Sequence, residues 1–452
     1  MKLIYQVNDK PKFSQTIVFA LQQLLAILAA TIAVPSIVGN GMSQSAALFG
    51  AGVGTLVYLL FTKFRSPVFL GSSFAFLGSM FAAFGGAASV QVGYAGLIIG
   101  AVFAGLVYVV IAIVVKLAGV KWITRLMPPV VIGPTVAIIG LSLAGNAIAN
   151  SFGFGSVQSE YTMNGSLWAN LICAMVTLQT VIYFAVHGKK MLRMIPFILG
   201  ILAGYLVALA MTLLGGAIGK ESLKILDFSA FQNMKWIPDF TFVEAFKGFG
   251  AINAQYIATI AVAYVPVAFV VFAEHIADHK NLSSIIEHDL LEDPGLHRTL
   301  LGDGIGSMVG AFFGGCPNTT YGESVGCVAI SGNASVVTIL TTSILAICVS
   351  FFGPFVTLLS TIPTCVMGGV CITLYGFIAV SGLKMLQPVD LNNNRNLFIA
   401  SVILIAGIGG MTMNIGSVTL TEVACALILG ILVNLAFNRM DNIEKSLMNK
   451  RK

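Results

Sequence analysis

Long apolar runs, separated by short polar segments, make up most of the chain. Most of these runs have roughly 17 to 25 residues, the length at which an α-helix crosses a hydrocarbon core about 30 Å thick. The pattern predicts an all-α polytopic membrane protein with about 14 transmembrane segments. The predicted spans are residues 15–39, 45–62, 67–84, 92–116, 128–148, 166–186, 194–216, 251–278, 299–315, 319–331, 334–358, 361–382, 398–414 and 419–437.

Composition supports this class. Hydrophobic residues make up 57% of the 452 residues, and charged residues only 9%. Soluble domains carry about 25% charged residues, so the chain is not an ordinary soluble protein. The seven cysteines lie within or beside the spans without the spacing of metal ligands. We therefore expect no metal site and no cofactor.

The distribution of Lys and Arg predicts the orientation. If the N-terminus is cytoplasmic, all but four of the 24 basic residues fall on the cytoplasmic side, where such residues collect. The exceptions, Lys220, Lys224, Lys235 and Lys247, share one long outer loop. We predict a multi-pass protein of the inner or plasma membrane with both termini cytoplasmic. The net charge of +6 then reflects topology, and we expect membrane lipid but no nucleic acid as a partner.

The chain contains an internal repeat. Residues 50–57 (GAGVGTLV) resemble residues 302–309 (GDGIGSMV), and residues 128–133 (PPVVIG) resemble residues 363–368 (PTCVMG). The matching segments lie in spans two and nine and in spans five and twelve, so the repeat is seven spans long. Because seven is odd, the second repeat enters the membrane from the opposite side, which is typical of many secondary transporters.

Spans three and ten occupy matching places in the two repeats and are the least helix-like. Residues 66–76 and 316–326 both combine Pro, Gly, hydroxyl residues and an aromatic residue. Pro and Gly disfavour a continuous helix, and interrupted spans in corresponding positions indicate a binding site. The alternative is a pair of kinked helices.

Few acidic residues lie in or beside the apolar spans, where ionisable groups are costly and usually functional. These residues are Glu274, Asp278, Asp303, Glu323 and Glu422. Glu274 and Asp278 are four residues apart and share a helix face. Two carboxylates on one face repel each other, so we expect at least one to hold a proton near neutral pH, as a proton-coupled carrier requires. The alternative is a set of structural hydrogen bonds between helices.

The two histidines beside these acids, His275 and His279, fit packing or interface roles better than ligand roles. For Asp303 a structural hydrogen bond is the favoured interpretation, and for Asp278 a bond to a helix end at the inner mouth is an alternative.

Five motifs together identify a family resemblance. They are Gly71–Phe76 (GSSFAF), Ala273–Ile276 (AEHI), Asp293–Arg298 (DPGLHR), Pro317–Glu323 (PNTTYGE) and Asn414–Gly416 (NIG). With these motifs the chain resembles the nucleobase/ascorbate transporter (nucleobase:cation symporter-2) family over nearly its whole length, and most closely its bacterial uracil permeases. The resemblance implies fourteen spans in seven-plus-seven inverted repeats, short antiparallel β-strands in spans three and ten, and a homodimer.

The resemblance also implies core and gate domains that move against each other in alternating access. The implied division is a core domain at 1–120 (spans one to four) and 250–358 (spans eight to eleven), a gate domain at 121–249 (spans five to seven) and 359–440 (spans twelve to fourteen), and a cytoplasmic tail at 441–452.

Carried over from the family, the substrate-binding positions fall on six residues. The side chains of Glu274 and Glu323 would bind the uracil ring, Phe74 and Gly322 would supply backbone contacts, and Tyr321 and Tyr375 would line the pocket. Glu274, Asp278 and Glu323 would couple transport to protons. The resemblance thus implies uracil import by proton symport.

The family signature appears as Glu323-Ser-Val-Gly326 with Ser331. Its leading Glu resembles the pyrimidine branch and favours uracil over xanthine. Gln22-Gln23 stands where many members have Gln-His, and Ser324 replaces the signature Asn. Asp278 stands where bacterial uracil permeases have a His that links the proton to Glu274, so Na⁺ remains possible as the coupling ion.

Two alternative functions remain. One is a xanthine or other purine:cation symporter of the same family, and the other is an anion exchanger of the same architecture. A membrane-embedded enzyme is not expected, because no nucleophile and base stand at a recognisable spacing.

Overall fold

The computed structural model describes residues 3–119, 122, 126–189, 191–415 and 418–451. Gly416 of the last sequence motif and the predicted domain boundary at 120–121 lie outside the described residues. The described chain is mostly helical and contains two short antiparallel sheets of two strands each.

The first half of the described chain contains ten α-helices, one strand and a few short 3-10 turns. The helices and the strand are α1 (Phe13–Val38), α2 (Gln44–Phe61), β1 (Leu70–Ser72), α3 (Leu77–Gly85), α4 (Val90–Ala118), α5 (Pro129–Ser142), α6 (Ala144–Ser151), α7 (Gly165–His187), α8 (Met191–Met194), α9 (Pro196–Ile218) and α10 (Thr241–Gly248).

The second half continues the series. Its elements are α11 (Ala254–Ile286), α12 (Leu296–Gly314), β2 (Asn318–Thr320), α13 (Gly322–Ser331), α14 (Val336–Ser350), α15 (Gly353–Ser360), α16 (Thr364–Lys384), α17 (Asn394–Ile408), β3 (Met413–Ile415), β4 (Val418–Leu420) and α18 (Glu422–Arg451).

Each of the fourteen predicted spans overlaps at least one helix. Among the described residues, nine helices are long and apolar enough to cross a membrane by themselves. The pair α14 and α15 raises this number to ten, although the two helices are bent by 80°. A multi-pass membrane fold is therefore confirmed, while the count of fourteen spans stays a prediction.

Spans three and ten are not kinked helices. Each begins with a strand, and β1 pairs with β2 in the antiparallel register Leu70↔Thr320, Gly71↔Thr319 and Ser72↔Asn318. The predicted short antiparallel strands are thus present. Each strand is followed by a short helix, α3 or α13.

Several predicted spans differ from the helices in their bounds, and two of them differ because the helix is broken. The span predicted at 398–414 ends as a helix at Ile408, because Gly409 and Gly410 follow and Gly410 adopts a φ of 67° that favours glycine. The chain then forms the β3–β4 pair. The span predicted at 334–358 is interrupted after Ser350, and α15 starts anew with a proline in its first turn.

The helices pack as two bundles. The strand-bearing bundle contains α1–α4, α10–α14, β1 and β2, and the second bundle contains α5–α7, α9 and α16–α18. Repeated glycines allow close packing within the strand-bearing bundle, because α2 and α12 approach through Gly50, Gly54, Gly306 and Gly310. The repeat found in the sequence thus brings its two copies into direct contact.

Candidate functional site

The strand pair β1–β2 lies in the interior of the strand-bearing bundle, and all six strand residues are buried. Thr55 on α2 ties β1 to this helix, since its Oγ1 accepts from Leu70 N at 2.9 Å while its hydroxyl donates to Ala51 O at 2.8 Å. Asn318 on β2 donates from Nδ2 to Gly50 O at 3.2 Å. Side chains therefore satisfy backbone groups at membrane depth that a helix would pair internally.

The junction between β2 and α13 is fixed from both sides. The hydroxyl of Tyr321 donates to Ser72 O at 2.7 Å, which ties it to β1. Ser324 in the first turn of α13 accepts from Phe69 N at 3.1 Å and from Gln23 Nε2 on α1. The N-terminal turn of α13, which carries Glu323, is therefore held against both α1 and β1.

Helix α11 brings the other carboxylates to the same place. Glu274 and Asp278 lie one turn apart near its middle. The hydroxyl of Thr320 at the end of β2 donates to Asp278 Oδ2 at 2.8 Å. This bond connects α11 directly to the strand pair.

Together these elements form one wall of a cavity of about 330 Å³, here called the central cavity. The polar wall belongs to the strand-bearing bundle and comprises Ser73, Phe74, Ala75, Glu274, Ala277, Asp278, Thr319, Tyr321, Gly322 and Glu323. The opposite wall is mostly apolar, belongs to the second bundle and comprises Val136, Ile139, Phe197, Leu374, Phe377, Ile378, Ser381 and Met385. The cavity thus lies between the two bundles.

Six of the seven residues predicted for substrate or proton binding line the central cavity: Phe74, Glu274, Asp278, Tyr321, Gly322 and Glu323. The seventh, Tyr375 on α16, is 2% exposed and lies behind Phe74, with the two ring centroids 6.1 Å apart. It is a supporting neighbour of the lining in this conformation.

The other acidic residues of the spans lie elsewhere. Asp303 is buried on α12 and bonds His275 rather than facing the central cavity, and Glu422 begins α18 away from it. His275 and His279 occupy the adjacent face of α11 and are fully buried.

Sequence reasoning missed the apolar wall and Thr320. Val136, Ile139 and Phe197 carry no signal in the sequence, because an apolar residue in an apolar span is indistinguishable from a lipid-facing one. Thr320 lies within a family motif, and its position beside the predicted strand of span ten was the available clue.

Among the described residues that line the central cavity, none is Lys, Arg or His. The cavity therefore offers three carboxyl groups, the hydroxyls of Ser73, Thr319, Tyr321 and Ser381, and the backbone N–H groups that begin α13. The first N–H groups of a helix have no partner within the helix. Such a site can hydrogen-bond a small ligand that carries both donors and acceptors.

Comparison with known proteins agrees with this geometry. The uracil permease of Bacillus caldolyticus is 40% identical over 439 residues, 96% of this chain and 94% of that protein. The uracil permease of Bacillus subtilis (strain 168) is 38% identical over 433 residues, 95% of this chain and 94% of that protein.

Among solved structures, the transmembrane domain of the cyanobacterium bicarbonate transporter BicA is similar, with a TM-score of 0.62 and 15% identity over 95% of this chain and 99% of that chain. At this identity the likeness concerns the fold alone.

Residues 14–416 match the model of a permease family. The chain belongs to this family, the nucleobase/ascorbate transporters that its motifs resemble, and it is a transporter rather than an enzyme.

Proposed function

We propose that this chain imports uracil by proton symport. The observation that carries the proposal is the polar wall of the central cavity, where Glu274 and Glu323 face the same space as the first backbone N–H groups of α13. The similarity to uracil permeases over nearly the whole chain supports the choice of substrate.

The polar wall matches the hydrogen-bonding groups of a pyrimidine dione, which has two N–H donors and two carbonyl acceptors. The carboxylates of Glu274 and Glu323 would accept from the ring N–H groups, and the backbone of Gly322 would donate to a carbonyl. The ring of Phe74 and the apolar wall would enclose the faces of the base. Both ring N–H groups and one of the two carbonyls would then have a partner, which contributes to binding specificity.

Proton coupling follows from the charges of the central cavity. Glu274, Asp278 and Glu323 share a cavity whose described lining contains no basic side chain. Three neighbouring carboxylates repel each other, so binding of a proton to one of them is favoured. Asp278 could also contribute oxygen ligands for Na⁺, which leaves sodium as the alternative coupling ion.

Alternating access is part of the proposal. The strand-bearing bundle would be the core domain (1–120 and 250–358) with α10 added to it, and the second bundle would be the gate domain (121–249 and 359–440) without α10. The central cavity reaches Phe197 at the start of α9 and Met385 after α16. With both termini cytoplasmic, these positions are on the cytoplasmic side, so this conformation would be inward-facing. A homodimer joined through the gate domains completes the proposal.

The test is uptake of labelled uracil by the purified protein in liposomes under separately imposed proton and sodium gradients. We expect accumulation driven by a proton gradient alone and no competition from unlabelled xanthine. Accumulation driven only by sodium would reassign the coupling ion. Strong competition by xanthine would favour a purine symporter, and bicarbonate uptake without uracil uptake would favour an anion exchanger.

A further inference from the structure

A second group of ionisable side chains lies beside the central cavity, where His275 and His279 occupy the face of α11 next to that of Glu274 and Asp278. His275 and His279 are fully buried, and Asp303 on α12 is 1% exposed. The two imidazole rings stack with centroids 4.0 Å apart. None of the three side chains lines the central cavity, so the proposed transport chemistry does not use them directly.

The hydrogen bonds of His275 assign one of its protons. Its Nε2 lies 3.0 Å from Thr299 Oγ1. The Thr299 hydroxyl donates its single proton to Leu296 O at 3.1 Å. With this assignment of the Thr299 proton, the Thr299 oxygen accepts from His275 and Nε2 carries a hydrogen.

The other ring nitrogen then requires a second proton. His275 Nδ1 lies 2.7 Å from Asp303 Oδ2. A neutral imidazole with its hydrogen on Nε2 is an acceptor at Nδ1, and an ionised carboxylate is an acceptor only. Two acceptors repel at this distance, so one proton lies between them. Whether it sits on the nitrogen or on the oxygen, the pair has zero net charge, and loss of that proton removes the hydrogen bond.

Other titratable groups surround the pair. Glu274 and Asp278 share α11 with His275, and Tyr58 on α2 is 2.7 Å from His279 Nε2. Tyr108 on α4 meets His275 edge to face, with ring centroids 6.3 Å apart. Tyr108 and Asp303 also line a small enclosed space of about 10 Å³, close to the size that one water molecule needs.

We propose that the His275–Asp303 contact is a proton-dependent clasp between α11 and α12 that holds Glu274 and Asp278 at the central cavity. With the proton in place the clasp is closed, and α11 presents its two carboxyl groups to the substrate. When the proton is lost, two acceptors face each other, the contact opens and substrate affinity falls. His275 and Asp303 are positioning residues, and the inference rests on the proposed function.

Two variants test the clasp without removing the contact. In Asp303→Asn, the amide donates to His275 Nδ1 permanently and cannot lose a proton. In His275→Asn, the amide can donate or accept, so it bonds Asp303 in either protonation state. The measurement is the dissociation constant of uracil by calorimetry from pH 6 to pH 9. We expect the alkaline slope of log Kd against pH to fall by about one in each variant, because one linked proton is lost.

Asp390→Asn, an exposed loop residue, serves as the matched control and should keep the wild-type slope. Variants that bind uracil with an unchanged slope would overturn the clasp. Failure of the wild-type protein to bind uracil at any pH would instead refute the proposed function. If neither variant folds, nitrogen NMR of the wild-type protein decides: the His275 Nδ1 resonance must change over the pH range in which affinity falls, and a constant resonance contradicts the proposal.

Discussion

Glu274, Asp278 and Glu323 come from two elements that are far apart in the sequence, yet they face one cavity. Asp278 has a hydroxyl partner in Thr320 at 2.8 Å. Glu274 stands one turn away on α11 and also lines the central cavity. This arrangement lets one carboxyl group hold a proton while another accepts a hydrogen bond from the base.

Replacement of Glu274 by Gln tests its proposed role as the proton-binding group. The amide has nearly the same shape but cannot bind or release a proton at neutral pH. We expect Glu274→Gln to abolish accumulation of uracil under an imposed proton gradient in liposomes. Glu422→Gln, at the beginning of α18 and away from the central cavity, is the control and should accumulate uracil normally. Normal accumulation by Glu274→Gln would contradict the assignment.

Replacement of Glu323 by Ala tests substrate binding. The change leaves one polar group of the bound base without its partner, which costs about 1 to 3 kcal/mol. We expect the dissociation constant of uracil to rise roughly 5- to 150-fold. Equilibrium binding to the purified protein measures this change, and an unchanged dissociation constant would place the substrate elsewhere.

The carboxylates could be predicted from the sequence because an acid in an apolar span is conspicuous and costly. The apolar wall could not. Phe197 and Ile139 become binding-site candidates only once the second bundle is seen to face the strand-bearing bundle. The pairing of His275 with Asp303 was equally hidden, since the two residues are 28 positions apart and share no sequence motif.

At the scale of elements, the strand pair depends on the close approach of α2 and α12. Gly54 on α2 faces Gly306 on α12 and the Asn318 side chain of β2. A Cβ atom at Gly54 would lie 2.5 Å from Asn318 Nδ2 and 2.7 Å from Gly306 O. The backbone of Gly306 and the buried amide of Asn318 cannot both move away from this added Cβ atom without disturbing β2.

We therefore expect Gly54→Ala to destabilise the protein by about 1 to 3 kcal/mol, the usual cost of overpacking. A fall in the midpoint of thermal unfolding in detergent would measure it. Gly78→Ala in α3 is the matched control, because a Cβ atom there meets nothing within 4 Å. A Gly54→Ala protein as stable as this control would show that the close packing is not needed.

The elements themselves were only partly predictable. Pro and Gly in spans three and ten predict an interruption of the helix, and the family resemblance implies that short strands form there. The bend between α14 and α15 escaped prediction, because hydropathy continues across the break, and the end of α17 was placed six residues beyond Ile408. The apolar character of a segment indicates that it lies in lipid or in the protein interior. The backbone conformation at glycines determines where a helix ends.

At the scale of the whole molecule, the proposed transport cycle requires the two bundles to move relative to each other. One contact between them lies beside α13. Ile195, just before α9 of the second bundle, packs against Ala26 of α1 and the native Cys327 of α13. A covalent bond at this contact would join the half-helix that carries Glu323 to the opposite bundle.

We expect Ile195→Cys to form a disulfide with Cys327 under oxidation and to stop uracil transport, with recovery after reduction. Binding of uracil should persist, since neither residue lines the central cavity. The double variant Ile195→Cys/Cys327→Ala removes the partner and should be insensitive to the oxidant, which separates the crosslink from oxidation of the other cysteines. Suppose that mass spectrometry confirms the disulfide and that the oxidised protein transports uracil as fast as the same protein after reduction. The bundles then do not need to move at this contact, and alternating access between them is contradicted.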